Sequence, residues 1–290
     1  MDDWLPSPYH CDFEERLKNE NCYIHFDVTK NTVEKWNEYC SKCEYGNKNI
    51  GIFSVVSDNK KQYFFSNGFS NKKEYIIYCK QQADAEYATS FVNPEAESIC
   101  FSWGMIEDFS FLEKFPNLKA LRIDSTKITH LSWNIAKTPK LERLSVEGKR
   151  LFDLSGLEKA YNLRSFSFTI ATSRMDRQNI KSLEPISHLE KLEEVVIQGA
   201  RLQDENIDHL ISIPTLRYLF VSPDTYSIES FAKFEAKKFM LNESYGCYSS
   251  DEEYFWRYGN DTKPLRIKME KAEKIKEYLK QYEALMNKYR

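Results

Sequence analysis

The sequence predicts an α/β solenoid, preceded by a small α+β domain and followed by a C-terminal capping helix. Two observations carry this prediction. Between residues 96 and 242 a short apolar pattern returns at intervals of about 22 residues, and each return is followed by a second apolar set. The residues on either side of this region lack the repeat. The predicted domains are therefore 1–92, 93–242 and 243–290.

The repeated pattern is an apolar residue, two variable residues, a second apolar residue, one variable residue and a third apolar residue. Valine, isoleucine and phenylalanine recur in it, which favours short strands over amphipathic helices. The second set, seen as Leu151, Leu154 and Leu157, has the spacing of a short helical or 3₁₀ segment. The triplets are Ala96, Ile99, Phe101; Leu118, Leu121, Ile123; Leu141, Leu144, Val146; Leu163, Phe166, Phe168; Leu192, Val195, Ile197; Leu216, Leu219, Val221; and, more weakly, Ala236, Phe239, Leu241.

This pattern resembles the leucine-rich-repeat family over about residues 96 to 242, with the short period of its bacterial and 22-residue subclasses. The resemblance implies that the strands line one face of a curved coil, that helical segments cover the other, and that the surface binds a partner. One position departs from the family. Where Asn or Cys is usual, three residues after the triplet, the chain has other residues, so the family's hydrogen-bonded ladder is expected to be weakened or replaced. These residues are Thr126, Lys149, Ala171, Ala200 and Asp224.

Residues 1–92 show alternating segments and many aromatic residues but no repeat. Asn31 is followed three residues later by Glu34, an N-cap with a capping-box partner, so a helix is expected from Asn31 to Tyr45. A small α+β domain follows from this pattern, and it is well placed to cover the first repeat. The predicted strands are Cys22–Val28, Asn49–Ser57, Gln62–Ser66 and Glu74–Lys80.

The last part of the chain contains an aromatic stretch and a regular apolar stripe. Residues 243–263 are expected to form an aromatic loop, and Pro264 is expected to open a helix that runs to the C-terminus. We expect this helix to cap the repeats, and a dimer through the same stripe is the alternative. The stripe, with steps of three and four, is Leu265, Met269, Ala272, Ile275, Leu279, Tyr282, Met286 and Tyr289.

Alternation along each strand determines which side chains point away from the core. In the later repeats this places four apolar residues where water is expected, and apolar patches with aromatic anchors are typical of protein interfaces. The alternative is that the segment Tyr245–Tyr258 folds back and covers them. The predicted contact residues on this concave face are Arg122, Arg143, Glu194, Val196, Tyr218, Phe220 and Met240.

One repeat is about seven residues longer than the others. The extra residues, Thr172 to Gln178, follow its strand and are expected to protrude at the rim. Arg174, Met175 and Arg177 are therefore a second candidate contact. An ordinary tolerated loop insertion explains the same residues.

The sequence has no glycine-rich phosphate loop, G-x-S-x-G elbow or H-E-x-x-H helix. Glu205 and His209 would share one face of a helix, but on the side of the repeat that normally faces solvent. We therefore predict a non-catalytic protein without a cofactor or catalytic residue. An enzyme whose site lies in residues 1–92, with the repeats recruiting its substrate, is the alternative.

Composition narrows the expected partner and location. A net charge of −3 and a pI near 6.1 give no general attraction to nucleic acid. The sequence has no signal-like N-terminus and no run of eighteen apolar residues, which argues against a membrane. Seven irregularly spaced cysteines favour free thiols in the cytoplasm, and Cys40-x-x-Cys43 lacks the second pair that a zinc site needs. The expected partner is another protein, as for a bacterial immunity or inhibitor protein or an adaptor.

Overall fold

The computed structural model describes residues 50–56, 62–65, 68–125, 127–148, 153–170, 179–239, 241, 247–250 and 253–290. The chain divides into two compact units, one ending at Glu147 and the other running from Gly148 to Arg290 together with Thr129–Leu131. The elements predicted at 22–28 and 31–45 lie outside the described residues. So do Met240 and the rim residues Arg174, Met175 and Arg177.

The first unit contains a sheet with strand order β2-β1-β3-β4-β5-β6, parallel except for β2. The register shows that β3 repeats the pattern of β4, because Tyr75 lies opposite Ile99 and Ile77 opposite Phe101. The sheet therefore continues in register across the predicted domain boundary at residue 92. Its strands are β1 (Ile50–Val56), β2 (Gln62–Phe65), β3 (Glu74–Tyr78), β4 (Ser98–Gly104), β5 (Ala120–Ser125) and β6 (Arg143–Glu147).

A helical segment follows each of the strands β3, β4 and β5. These segments are α1 (Gln82–Thr89), which the sequence analysis did not predict, and 3₁₀ turns at Ser110–Lys114 and Ile135–Lys137. A further 3₁₀ turn spans Phe69–Asn71. Strand and helical segment bury their apolar sides together, so that Leu121 and Ile123 are at most 2% exposed. This combination, at the spacing read from the sequence, is the unit of a leucine-rich-repeat solenoid.

The second unit repeats the same arrangement with the parallel strands β7 (Ser165–Thr169), β9 (Glu194–Gln198) and β11 (Tyr218–Val221). Two short strands, β8 (Asn179–Ile180) and β10 (Arg201–Leu202), pair separately. The helical segments are a 3₁₀ turn at Leu157–Lys159, α2 (Glu184–Ser187) and α3 (Asp208–Ile211). In one repeat the second apolar set is Ile180, Leu183, Ile186 and Leu189, and each is at most 1% exposed. Ile186 lies in α2 as the spacing predicts, whereas Ile180 lies in the short strand β8.

The weak seventh triplet is not a strand, which corrects the sequence analysis. Ala236 lies in helix α4 (Ile228–Lys237), whose N-cap Ser227 accepts a hydrogen bond from the Ser230 amide at 3.2 Å. Phe231 and Phe234 on α4 are at most 1% exposed, and a spacing of three suits a helical face. In each of the other six triplets, the second and third apolar residues lie in a strand.

The aromatic stretch forms strands rather than the predicted loop. Strands β12 (Cys247–Ser250), β13 (Tyr254–Arg257) and β14 (Arg266–Lys268) make an antiparallel sheet. Helix α5 consequently begins at Ala272 and ends at Tyr289, so the prediction of a helix from Pro264 was wrong. Buried Ile267 alternates with exposed Arg266 and Lys268, and this period of two pairs the segment with β13 instead of extending the helix.

Helix α5 packs against α4, as expected of a capping helix. The residues that it buries are Tyr278, Tyr282 and Met286, whereas Met269 of the predicted stripe lies before the helix and is 42% exposed. The Tyr258 ring lies 4.4 Å from the Phe231 ring of α4. The final strand, helix and aromatic side chains thus share one core. Within the described residues, no helix is long and apolar enough to cross a bilayer.

A ladder of alternating charge joins neighbouring repeats within each unit. The residue just before each of the strands β3 to β7, β9 and β11 is charged, and the sign alternates along the chain: Lys73, Glu97, Lys119, Glu142, Arg164, Glu193, Arg217. In the first unit, Glu97 accepts from the ammonium groups of Lys73 at 2.6 Å and Lys119 at 2.8 Å, and these bonds lower its pKa to about 2. In the second unit, Arg164 and Arg217 flank Glu193 in the same way.

Candidate protein-binding surface

The strand register arranges the predicted contact residues in rows within each unit. In the first unit, Arg143 lies opposite Ala120, and Arg122 lies opposite Ser145. In the second unit, Glu194 pairs with Tyr218 and Val196 with Phe220. Because parallel strands keep one register, side chains at equivalent positions of successive repeats become neighbours on the outward face.

The outward face of the first unit is charged and partly open to solvent. Along β5 and β6 the inward residues are buried, whereas Arg122 is half-buried and Arg143 is exposed. Arg122 Nη2 lies 3.2 Å from Glu147 Oε2, so one arginine of the pair is held in a defined position. The face therefore presents one guanidinium group held by an ion pair and a second that is exposed to solvent.

The outward face of the second unit is more buried than the sequence analysis expected. Val196 is 2% exposed and Glu194 is 7% exposed, so neither meets water as predicted. Tyr218 and Phe220, on β11, are half-buried. The binding role of these residues remains a prediction, but their expected exposure is corrected for the two residues of β9.

Val196 and Glu194 are buried because the strands β7 and β9 are covered on both faces. Ser165 and Ser167, which also point outward, are 7% and 5% exposed. The run Val195, Val196, Ile197 is a signal that could have revealed this, because a continuous apolar strand is typical of burial on both sides. Alternation gives the direction of a side chain and does not reveal what lies above it.

The aromatic stretch was the proposed cover for this face. Two aromatic rings of this stretch pack against helices of the second unit instead. Tyr258 packs on Phe231 of α4, and Phe255 lies 6.0 Å from Tyr278 of α5 in an edge-to-face arrangement. These two rings therefore serve the core of the C-terminal cap.

The titratable pair singled out in the sequence is arranged differently from the prediction. Helix α3 begins at Asp208, so Glu205 does not share a helix with His209, and its carboxylate accepts from Asn260 at 2.9 Å. His209 Nε2 instead lies 2.8 Å from Asp204 Oδ2, and the Ser182 hydroxyl donates to the same oxygen at 2.8 Å. The hydrogen bonds from these two groups lower the pKa of Asp204.

This arrangement does not activate a nucleophile. In a catalytic triad the serine hydroxyl bonds to the imidazole, which removes its proton. Here the Ser182 hydroxyl bonds to the carboxylate of Asp204, so the imidazole of His209 has no serine proton to accept. The cluster ties the start of α3 to the preceding repeat.

Cysteine chemistry in the described part of the first unit is also unfavourable for catalysis. Cys79 is 2% exposed, and burial, with the nearby Asp84 carboxylate, raises the pKa of its thiol to about 12. A nucleophilic cysteine needs the opposite shift, because the thiolate is the reactive species. Neither Cys79 nor Cys100 is part of a disulfide. No group of three or more potential metal ligands occurs among the residues that the structure describes.

Comparison with known proteins yields similarity of structure alone. No protein-family model matches the sequence, and no curated protein matches it. A solved internalin from Listeria monocytogenes is 12% identical with a TM-score of 0.40, over 57% of this chain and 53% of that chain. Internalin C2 from the same species is 17% identical with a TM-score of 0.37, over 51% of this chain and 60% of that chain.

A leucine-rich-repeat protein from Leptospira interrogans is 13% identical with a TM-score of 0.26, over 53% of this chain and 55% of that chain. This chain therefore spans little more than half the length of each solved structure that it resembles. Its leucine-rich-repeat architecture is established by its own strand register and repeated helical segments.

Proposed function

We propose that this chain is a non-catalytic protein-binding module that uses the outward side chains of its parallel strands. The observation that carries the proposal is the alternation along β5 and β6. Inward Leu121, Ile123 and Leu144 are at most 2% exposed, whereas their outward neighbours reach solvent. The inward residues hold the strands, so the outward rows form a rigid surface whose chemistry is not required for folding.

In the first unit, the proposed contact is electrostatic. Arg143 is exposed and Arg122 is positioned by Glu147, so this face suits a partner that offers carboxylates to the arginines. Arginine is common among interface residues that contribute strongly to affinity. We place Arg122 and Arg143 among the contact residues for this reason.

In the second unit, the proposed contact is aromatic. Tyr218 and Phe220 are half-exposed on β11, and Val196 and Glu194 support them from the adjacent strand. A tyrosine and a phenylalanine side by side provide a large apolar area at low conformational cost. We therefore assign the direct contact to Tyr218 and Phe220, with Val196 and Glu194 holding them in place.

Such a preformed surface suits a protein that masks another protein, as an inhibitor or immunity protein does, or an adaptor. A cytoplasmic location is consistent with the reduced state of Cys79 and Cys100, neither of which is part of a disulfide. The alternative of an enzyme site within residues 1–92 gains no support from Cys79, which is held in its unreactive form. Dimerisation through α5 is disfavoured by the use of its apolar side against α4.

The test is affinity capture from the cells that produce the protein, with four variants of matched thermal stability. Tyr218→Ala with Phe220→Ala removes the aromatic contact, and Tyr161→Ala is its control because Tyr161 is 70% exposed outside the strand face. Arg143→Glu reverses the charged contact, and Lys137→Glu in a 3₁₀ turn is its control.

We expect a partner that is recovered with the wild type and both controls, and that is recovered less with the Tyr218/Phe220 double variant and with Arg143→Glu. Each of these variants should weaken binding by about tenfold or more, since anchor residues typically contribute at least 1–2 kcal/mol. Equal recovery of the partner with the wild type and all four variants would refute the proposal that the strand faces bind it.

A further inference from the structure

A basic cavity of about 440 Å³ lies in the C-terminal part of the second unit, between the hairpin β13–β14 and the first turns of α5. Its volume is within the range of sites that hold a small molecule. Glu277 is the one acidic residue among its lining residues. Six of the lining residues are cationic: Arg257, Lys263, Arg266, Lys268, Lys271 and Lys274.

The positive charge of this cavity is only partly offset by the described part of the protein, because Glu277 is its one acidic lining residue and its lysines are exposed to solvent. The four lysines have no ion-pair partner among the described residues, whereas Lys276 and Lys288 in the same helix pair with Glu273 and Glu229. The whole chain carries a net charge of −3, so this concentration of cations is local. Ammonium groups that share one small cavity repel one another unless an anion lies between them.

The two arginines of the cavity are held by the protein itself. Arg257 Nη2 donates to the Pro264 carbonyl, and its guanidinium carbon lies 5.2 Å from the centre of the Tyr278 ring. The Arg257 Nε is buried without a hydrogen-bond partner in the described structure. Arg266 lies over the Tyr254 ring at 4.6 Å. The cavity therefore has a rigid cationic wall, and its lysines are the adjustable groups.

Helix α5 adds a further preference for negative charge. It has eighteen residues, its N-cap Lys271 makes no side-chain capping hydrogen bond, and Glu273 is the acidic residue of its first turn. The N-terminus of a helix is its positive end, where a lysine is unfavourable and an anion is favourable. Lys271 and Lys274 at this end are thus placed where an isolated helix would favour acids.

We propose that this cavity binds a compact polyphosphate anion. Four ammonium groups that form no ion pair within the described part of the chain, around about 440 Å³, match several negative charges on one small molecule, rather than the single charge of a carboxylate side chain. Lysine binds phosphate as a point charge and needs no planar geometry. This site is independent of the outward strand faces, so either proposal can fail without the other.

The experiment is isothermal titration of the full chain with inorganic tripolyphosphate at constant ionic strength. Lys271→Gln with Lys274→Gln removes two cavity charges, and Lys276→Gln with Lys280→Gln removes two charges from the same helix outside the cavity. We expect the first pair to weaken binding by about tenfold or more and the second by less than about twofold. Glu277→Gln should tighten binding, because it removes the acidic group from the cavity.

The tightening by Glu277→Gln is the result that a loss of folding cannot imitate. Absence of binding by the wild type, or an equal loss in both lysine pairs, would overturn the proposal. Two further arms use an acidic peptide of equal charge and vesicles that contain a phosphoinositide. Stronger binding to either of these than to tripolyphosphate would also overturn the assignment to a free polyphosphate.

Discussion

Replacement of Glu235 by glutamine should stabilise the protein at neutral pH and have little effect near pH 4. Glu235 lies on α4, is 6% exposed, and accepts the Leu241 amide at Oε1 at 3.1 Å. Its Oε2 and the Tyr282 hydroxyl of α5 are both buried without a well-formed hydrogen bond in the described structure. The interface between the two helices therefore contains a carboxyl group that is poorly solvated.

Burial raises the pKa of Glu235, and the Leu241 amide and Tyr282 hydroxyl only partly offset this. The folded state then binds the proton more tightly than the unfolded chain, whose glutamate pKa is about 4.3. The contribution of Glu235 to the free energy of unfolding consequently falls as pH rises from about 4.3 through its folded pKa, and is constant above it. Glutamine keeps the acceptor for Leu241 and adds an amide donor toward Tyr282.

The gain at neutral pH should be about 1–2 kcal/mol, within the range that an unsatisfied buried polar group costs. Urea denaturation at about pH 4.5 and about pH 8 measures it as the difference between variant and wild type. The control is Glu229→Gln on the same helix. Hydrogen bonds from Lys288 and Tyr289 lower the pKa of Glu229, so this control should lose stability at pH 8. A Glu235→Gln variant that is less stable than wild type at pH 8, or a difference independent of pH, would refute the reasoning.

Two other substitutions test the repeats. Leu144 is 1% exposed on β6, and Leu144→Ala should lower the free energy of unfolding in urea by about 2–5 kcal/mol. Its control is the outward Ser145→Ala, which should change that free energy by less than about 0.5 kcal/mol. Similar losses in the two variants would contradict the assigned strand faces. Burial alone would raise the pKa of Glu193, but its two arginine partners more than reverse this. Glu193→Gln should therefore lose about 1 kcal/mol above pH 5, and progressively less as the wild-type carboxylate is protonated on acidification. Exposed Glu190→Gln is its control, and equal behaviour of the two would show that the charged ladder contributes nothing.

The charged ladder also ties neighbouring repeats together within each unit. Glu97 and Glu193 each lie between cations supplied by the repeats before and after them. A one-residue shift of a strand would break these contacts, whereas Glu142 forms no ion pair among the described residues. Because these ion pairs lie near the surface, each contributes little to the free energy of unfolding, and their main effect is on the register of the strands.

The sequence by itself determined the repeats, because an inward apolar residue must recur once per turn of the coil whatever surrounds it. Leu121, Leu144 and Val195 could therefore be assigned to the core, and the outward direction of Arg143 and Tyr218 followed from alternation. The positions of these side chains depend on backbone geometry alone.

Only the tertiary structure decided which outward residues are open. Val196 and Arg143 point outward in the same way, yet one is 2% exposed and the other is exposed, because burial depends on atoms distant in the chain. The same dependence made residues 254–257 and 266–268 strands, since each strand forms only when a partner lies beside it. Local pattern determines the direction of a side chain, and long-range packing determines what that side chain meets.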